Sequence, residues 1–327
     1  MWVTKSQMTR RHVSRTRGRW TFPLVSGAAI VVLACLLVGC ATSSPVNRPN
    51  GSTSTKKIAV VAAENFWGSI AAQVGGDRVS VHSIIANPDA DPHDYEPTAA
   101  DGRALADAQY VIENGVGYDP WVAKLVAANG TPDRAVLNVG QLVRVKEGGN
   151  PHRWYSPDDV HRVIEQICAD YKRINPADSA YFDQQKQNYE THGLARYHQL
   201  IADIKSKYRG TPIGASESIV TLLAEGLGVK VATPQSFLDA ISQGIDPTAA
   251  DKITADQQIN TKQIKVFIVN SQNSNPDVAA LVTAAKNQGI PVATITETLV
   301  PVTASFQDWQ SDQLYGIQQA LSKATTP

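Results

Sequence analysis

The chain has 327 residues, 43% of them hydrophobic, and a formal net charge of zero. That length exceeds one small core and suits two lobes of ordinary domain size. The charge balance argues against a nucleic-acid binder that relies on bulk positive charge, and three cysteines are too few for a disulfide framework.

The N-terminus reads as an address. Lys5, Arg10, Arg11, Arg15, Arg17 and Arg19 crowd the first twenty residues without an acid among them, and residues 24–39 are an apolar run too short for a comfortable bilayer span. The run ends Leu37-Val38-Gly39-Cys40. This resembles the bacterial lipobox, which implies cleavage before Cys40 and a diacylglyceryl group on its thiol. Residues 1–39 are then a signal peptide and 40–56 a flexible tether, rich in Ser, Thr, Pro, Asn and Gly. As a coil such a tether spans roughly 20 Å. Cys35 falls in the leader, so the body keeps only Cys168, which reads as a small buried hydrophobe.

From Lys57 on, short apolar runs alternate with helical patterns. Strands are expected at 58–63, 79–85, 110–113 and 135–139, with helices at 64–75, 99–108 and 120–128 between them. This rhythm predicts a parallel sheet covered on both faces. Ser156-Pro157-Asp158-Asp159 starts a further helix with a cap, a proline in the first turn and acids near the positive end of the dipole. Asn175-Pro176 stops it. After Pro176, residues 176–209 contain no further proline, with Gly193 as the weak point, and read as one helix of nearly 50 Å at about 1.5 Å per residue. A second α/β rhythm follows: strands at 212–215, 229–232, 266–270 and 291–295, helices at 217–226, 247–260, 276–288 and 311–322. The expected fold is therefore α/β, with two doubly wound parallel-sheet lobes (57–175 and 210–327) joined by a single long backbone helix.

Two segments echo each other. Asp91-Pro92-His93-Asp94-Tyr95 and Asn150-Pro151-His152-Arg153-Trp154 each place a histidine after proline and an aromatic two residues on. Proline stiffens such a loop, which lowers the ordering cost of using the imidazole as a metal ligand. A lone loop histidine is usually a surface residue, and it is the matching contexts of His93 and His152 that single them out. The second half offers carboxylates at comparable positions, Glu217 after the strand 212–215 and Glu297 after the strand 291–295. All four would lie at carboxyl ends of strands, where open α/β sheets bind ligands. A competing reading of Glu217 is an acid in a helix's first turn, favoured by the dipole alone, and Glu297 also fits a turn acid. His82, His161, His192 and His198 read as structural residues of strands or helix surfaces.

These motifs, with Ala62-Ala63-Glu64-Asn65-Phe66-Trp67, Gly75-Gly76-Asp77-Arg78-Val79 and Asn114-Gly115-Val116-Gly117-Tyr118-Asp119, together resemble the metal-binding solute-binding proteins of ATP-binding-cassette transporters for zinc and manganese. The resemblance runs from about Lys57 to the C-terminus. It implies two α/β lobes joined by one long helix, metal in the inter-lobe cleft, and four ligands matching His93, His152, Glu217 and Glu297. At the third position zinc proteins of the family usually carry His and manganese proteins Glu; at the fourth, Asp is commoner than Glu.

Two imidazoles and two carboxylates suit Mn²⁺ or Fe²⁺ better than a tetrahedral zinc site, although zinc binds N/O donors more tightly by intrinsic order. No histidine lies between His93 and His152, so a histidine-rich loop is missing. The resemblance further implies no enzymatic activity, a permease and an ATPase on other chains, a monomer, and a place on the outer face of the cytoplasmic membrane. No P-loop occurs. The alternatives are a metallohydrolase, which lacks an H-E-x-x-H helix here, a binding protein for a small organic solute, and a surface adhesin.

Overall fold

The computed structural model describes residues 56–88, 90, 95–273 and 275–325. The leader, most of the tether with Cys40, and His93 in its loop lie outside the described residues. The described residues form one compact unit. Among the described residues no helix is long and apolar enough to cross a membrane.

The first half runs β1 (Ile58–Glu64), α1 (Asn65–Gly75), β2 (Val79–Ile85), α2 (Ala99–Asp107), β3 (Tyr110–Glu113), α3 (Pro120–Ala128), β4 (Ala135–Asn138), α4 (Val139–Leu142) and α5 (Pro157–Ile174). The strands are all parallel, in the order β2-β1-β3-β4. Alternate residues of β1 and β3 face opposite ways, as the two-residue period of a strand demands. Val60, Ala62, Tyr110 and Ile112 join the main core, while Val61, Ala63 and Val111 join a smaller cluster with Leu105 and Trp121. Both faces are covered, as a parallel sheet requires. On α5, Val160, Val163, Ile164, Ile167 and Tyr171 form the buried stripe, and Ser156 Oγ accepts from Asp159 N to cap it.

The stretch read as one helix is helical almost throughout but not regular. A 3₁₀ turn (Pro176–Asp178) leads into α6 (Ser179–Asn188), a π-helical turn (Tyr189–Gly193) and α7 (Ala195–Tyr208). Gly193 supplies the reason: a Cβ there would sit 2.7 Å from the Tyr189 ring. Without it the ring folds over the backbone, and Leu194 N donates to Tyr189 O at 2.8 Å, the wider π spacing.

The second half runs β5 (Pro212–Ala215), α8 (Ile219–Leu227), β6 (Lys230–Val231), α9 (Gln235–Ser242), α10 (Ala249–Asn260), β7 (Val266–Asn270), α11 (Pro276–Asn287), β8 (Val292–Ile295) and α12 (Phe306–Thr325). Its strands are again all parallel, ordered β6-β5-β7-β8. The two sheets thus share one topology without an evident sequence repeat. Each reverses direction beside its first strand, between β1 and β3 and between β5 and β7, which are the switch points where such sheets open a crevice. The core runs continuously through both halves. Helix α12 returns to the first half, where Phe306 N donates to Ser69 Oγ at 2.8 Å.

Among the boundaries that move, two matter most. Helix α8 starts at Ile219 rather than at residue 217, so Glu217 sits in a bend ahead of the helix. The reading of Glu217 as a first-turn acid is therefore wrong. Helix α12 starts at Phe306 instead of residue 311, capped by Ser305, whose Oγ accepts from Asp308 N at 3.2 Å. Cys168 is buried as expected; burial, then the Asp183 carboxylate, pushes its thiol up to about 11, which keeps it protonated and unreactive.

Candidate functional site

Three of the four candidate ligands fall among the described residues, and a few polar side chains gather them. Glu217, just beyond β5, is 1% exposed. Its Oε1 accepts from the Asn270 side-chain amide and its Oε2 from Asn273 Nδ2 at 2.7 Å. Glu297, just beyond β8, is half-buried. The same Asn270 Nδ2 donates to Glu297 Oε1 at 3.1 Å. Asn270 ends β7, at the switch point of the second sheet, so a single amide ties together two carboxylates brought by different strands. The backbone of Glu297 is fixed separately, since Glu297 N and Thr298 N both donate to Gln272 Oε1, at 2.6 and 2.9 Å.

The link to the first half is Tyr118. Its hydroxyl donates to Glu297 Oε2 at 3.1 Å, and its ring meets His152 edge-on with centroids 6.1 Å apart. The backbone feeding Tyr118 is unusual: Gly115, Val116 and Gly117 all have positive φ. A Cβ on Gly115 would lie 2.6 Å from Asn138 Oδ1, so that turn needs glycine. Asp119 braces it by accepting from Asn114 N and Gly115 N, both at 2.7 Å.

His152 is 1% exposed, in the loop that enters the 3₁₀ turn Arg153–Tyr155. Asn150 defines its tautomer. The Asn150 Oδ1 accepts from His152 N at 3.0 Å and faces His152 Nδ1 at 2.9 Å, while its Nδ2 donates to Ser218 O at 2.8 Å. An amide oxygen only accepts, so Nδ1 carries the proton and the lone pair is left on Nε2. The Trp154 ring packs against the imidazole, centroids 5.3 Å apart. A cleft of about 510 Å³ opens beside His152, walled by Gly117 and Asn150 on one side and Ser218, Asp239 and Ser242 on the other.

Neither Tyr118 nor Asn150, Asn270 and Asn273 was singled out by sequence reasoning as a site residue. Tyr118 and Asn150 do stand inside motifs quoted above, whereas the asparagines at 270 and 273 carry no local signal. Their partners lie tens of residues away in sequence.

Behind this cleft lies a buried acidic group. Glu64 closes β1, fully buried, and no donor reaches either of its oxygens. Burial raises its carboxyl well above the usual range, and the neighbouring Asp119 and Glu113 carboxylates push the same way. Burial likewise raises Asp119 to about 7, against the Gly115 and Asn114 N–H groups that favour its anion. Both shifts are upward, so the folded state holds protons that the unfolded chain loses near the ordinary values of 3.8 for Asp and 4.5 for Glu. For Asp119 this stabilisation is complete below its ordinary value and is lost as pH rises through about 7, and the raised Glu64 carboxyl contributes in the same direction. The Glu64→Gln variant should remain more stable than the parent above neutrality by about 1–3 kcal/mol, because a neutral amide can donate to Asp119 without taking up a proton. Urea midpoints at about pH 5 and about pH 8 test this; an equal decline in both proteins would count against the pair.

The sequence pattern of the family described as zinc-uptake complex component A, periplasmic, matches residues 60–320. A manganese ABC transporter substrate-binding lipoprotein, PsaA of Streptococcus anginosus, is 24% identical over 275 residues, 78% of this chain and 83% of the relative. Among solved structures, the Mn-bound periplasmic metal-binding protein of Candidatus Liberibacter asiaticus superposes with a TM-score of 0.67 at 20% identity, over 81% of this chain and all of the other. A crystal structure of ZnuA gives 0.64 at 18% identity, over 83% and 100%. These structural likenesses speak for the fold.

Proposed function

The chain belongs to the zinc-uptake complex component A family, and on that premise we propose that it captures a divalent transition metal, manganese or zinc, outside the cytoplasm and hands it to a membrane permease of the ATP-binding-cassette type. It is a substrate-binding component and not an enzyme. The metal is cargo. The donors in this reading are His93, His152 through Nε2, Glu217 and Glu297, two from each of the lobes 57–175 and 210–327. What most supports it is the convergence on Asn270: carboxylates from two strands share one amide, and one of them reaches Tyr118 beside His152.

Two carboxylates neutralise a dication and limit the cost of burying it. Two neutral imidazoles add donors without adding charge. With one or both carboxylates bidentate the set reaches five or six donors, which favours manganese, while the intrinsic order favours zinc. The lobes close across Asn150–Ser218 and Tyr155 OH–Thr296 O, at 2.8 and 2.7 Å, and release at the permease separates those contacts. Lipidation of Cys40, with residues 40–56 as tether, would hold the monomeric receptor at the outer face of the membrane.

The test is a titration of the full chain in detergent, stripped of metal, with Mn²⁺ and Zn²⁺ in competition. One tight equivalent, lost in His93→Ala, is expected, and the metal that resists displacement names the cargo. Should neither metal bind tightly, the organic-solute reading takes its place.

A further inference from the structure

The outer side of α5, away from the cleft, carries a second group of metal-binding side chains. His161 and Glu165 stand one turn apart on α5 and so share a helix face. Glu190 faces them from the π turn. One donor atom from each of the three lies within 4.8 Å of the others.

His161 and Glu190 form an ion pair with one buried end. His161 Nδ1 is 3.0 Å from Glu190 Oε1. That oxygen is sealed from solvent, yet no donor, His161 included, meets it at hydrogen-bond geometry. Two ligand atoms each about 2.1 Å from one ion stand about 3.0–3.4 Å apart, so this spacing, besides suiting an ion pair, is compatible with two ligands of one ion.

The surroundings add a second observation. A cavity of about 210 Å³ opens at the same place, lined by His161, Glu190 and His198 with Val160, Ile164 and Leu194. None of these lines the cleft beside His152. The π turn itself places Glu190 here, and such turns recur at functional sites. One feature opposes a cation: Lys186 Nζ holds Glu165 Oε1 at 2.6 Å.

We propose that His161, Glu165 and Glu190 form a second divalent-cation site, of the zinc class, on the outer face of the junction between α5 and the linking helices. One imidazole and two carboxylates leave positions for water or for His198. An open, partly exposed N/O set of this kind follows the intrinsic order, in which zinc exceeds manganese. Occupied, it clamps α5 to the π turn. The site does not depend on the cleft reading, since the two share no residue.

The experiment is a Zn²⁺ titration of the full chain in detergent, without a histidine tag. A second equivalent, weaker than any cleft metal and in the micromolar range, is expected. His161→Ala and Glu190→Gln should each abolish it and leave the tight equivalent untouched. Lys186→Met should tighten it by about three- to tenfold, because a neighbouring cation is removed. A weaker equivalent that survives both His161→Ala and Glu190→Gln, or the absence of any weaker equivalent even in Lys186→Met, overturns the proposal. Failure of the cleft reading looks different: the tight equivalent is then missing while the weaker one remains.

Discussion

Glu217→Gln is expected to leave the protein folded and to weaken cargo binding by more than about 100-fold. Replacing a mere supporting partner of a metal ligand already costs about 10–100-fold, and on the proposed ligand set this change removes a ligand charge. Glu217 is almost fully buried, so its charge is poorly screened, and a dication in the cleft would lose half of its carboxylate neutralisation. The substitution also disturbs the supporting amides. Asn270 and Asn273 each donate to one Glu217 oxygen. A glutamine can accept from only one of them and turns its own NH₂ toward the other, so that two donors meet. Glu217→Asp keeps the charge but shortens the reach, and should sit between parent and Gln variant. Competition against a chromophoric chelator at fixed pH measures all three proteins. Binding by Glu217→Gln within about threefold of the parent, well short of the loss expected for a ligand, would remove Glu217 from the ligand set.

How much of this could be read in advance depends on the range of the interaction. The strands were legible because buried apolar runs end at Gly, Pro and Asn. The start of α5 was legible because Ser156 and Pro157 cap it locally. Helix α9 was missed. No element was assigned between 232 and 247, although Phe237, Leu238 and Ile241 lie at helical spacing and are all buried. The π turn escaped because its cause is the fit of the Tyr189 ring over Gly193, and the glycine alone showed only as a weak point. In the candidate site the residue types were legible for His152, Glu217 and Glu297, and the places just past strands for Glu217 and Glu297; His152 instead follows α4 and a loop, well beyond the end of β4 at Asn138. Their alignment was not. Asn270 acts across 53 residues to Glu217 and 27 to Glu297, and Tyr118 across 179 to Glu297. No local pattern encodes a hydrogen bond over that distance; it follows from the strand order, in which β7 is inserted beside β5 and carries Asn270 to the switch point.

The second large effect concerns Trp154, two residues after His152. Its ring is fully buried, stacked on Phe66 at 4.0 Å between centroids and tilted against Tyr118 at 5.0 Å. Phe66 comes from α1 and Tyr118 from the Gly115–Gly117 turn, so this one side chain joins three segments of the first half. Trp154→Ala should cost about 3–5 kcal/mol, the usual range for deleting a large aromatic where the surroundings cannot collapse. Trp154→Phe should cost far less. It keeps the stack, and the indole N–H it removes has no acceptor in the fold, so no hydrogen bond is lost. The same ring supports the edge of His152, so Trp154→Ala should also weaken cargo binding by about tenfold, the lower end of the cost of losing a ligand's support. Urea unfolding must be followed on stripped protein, because bound metal stabilises by RT ln(1 + [L]/Kd) and would hide part of the loss. A parent-like midpoint for Trp154→Ala would mean that the aromatic cluster is not what holds the His152 loop. A lowered midpoint with parent-like metal affinity would mean instead that Asn150 alone sets the imidazole. The hydrogen bonds predict neither result, since Asn150 fixes the tautomer and leaves the ring free to swing about that contact unless Trp154 closes the space beside it.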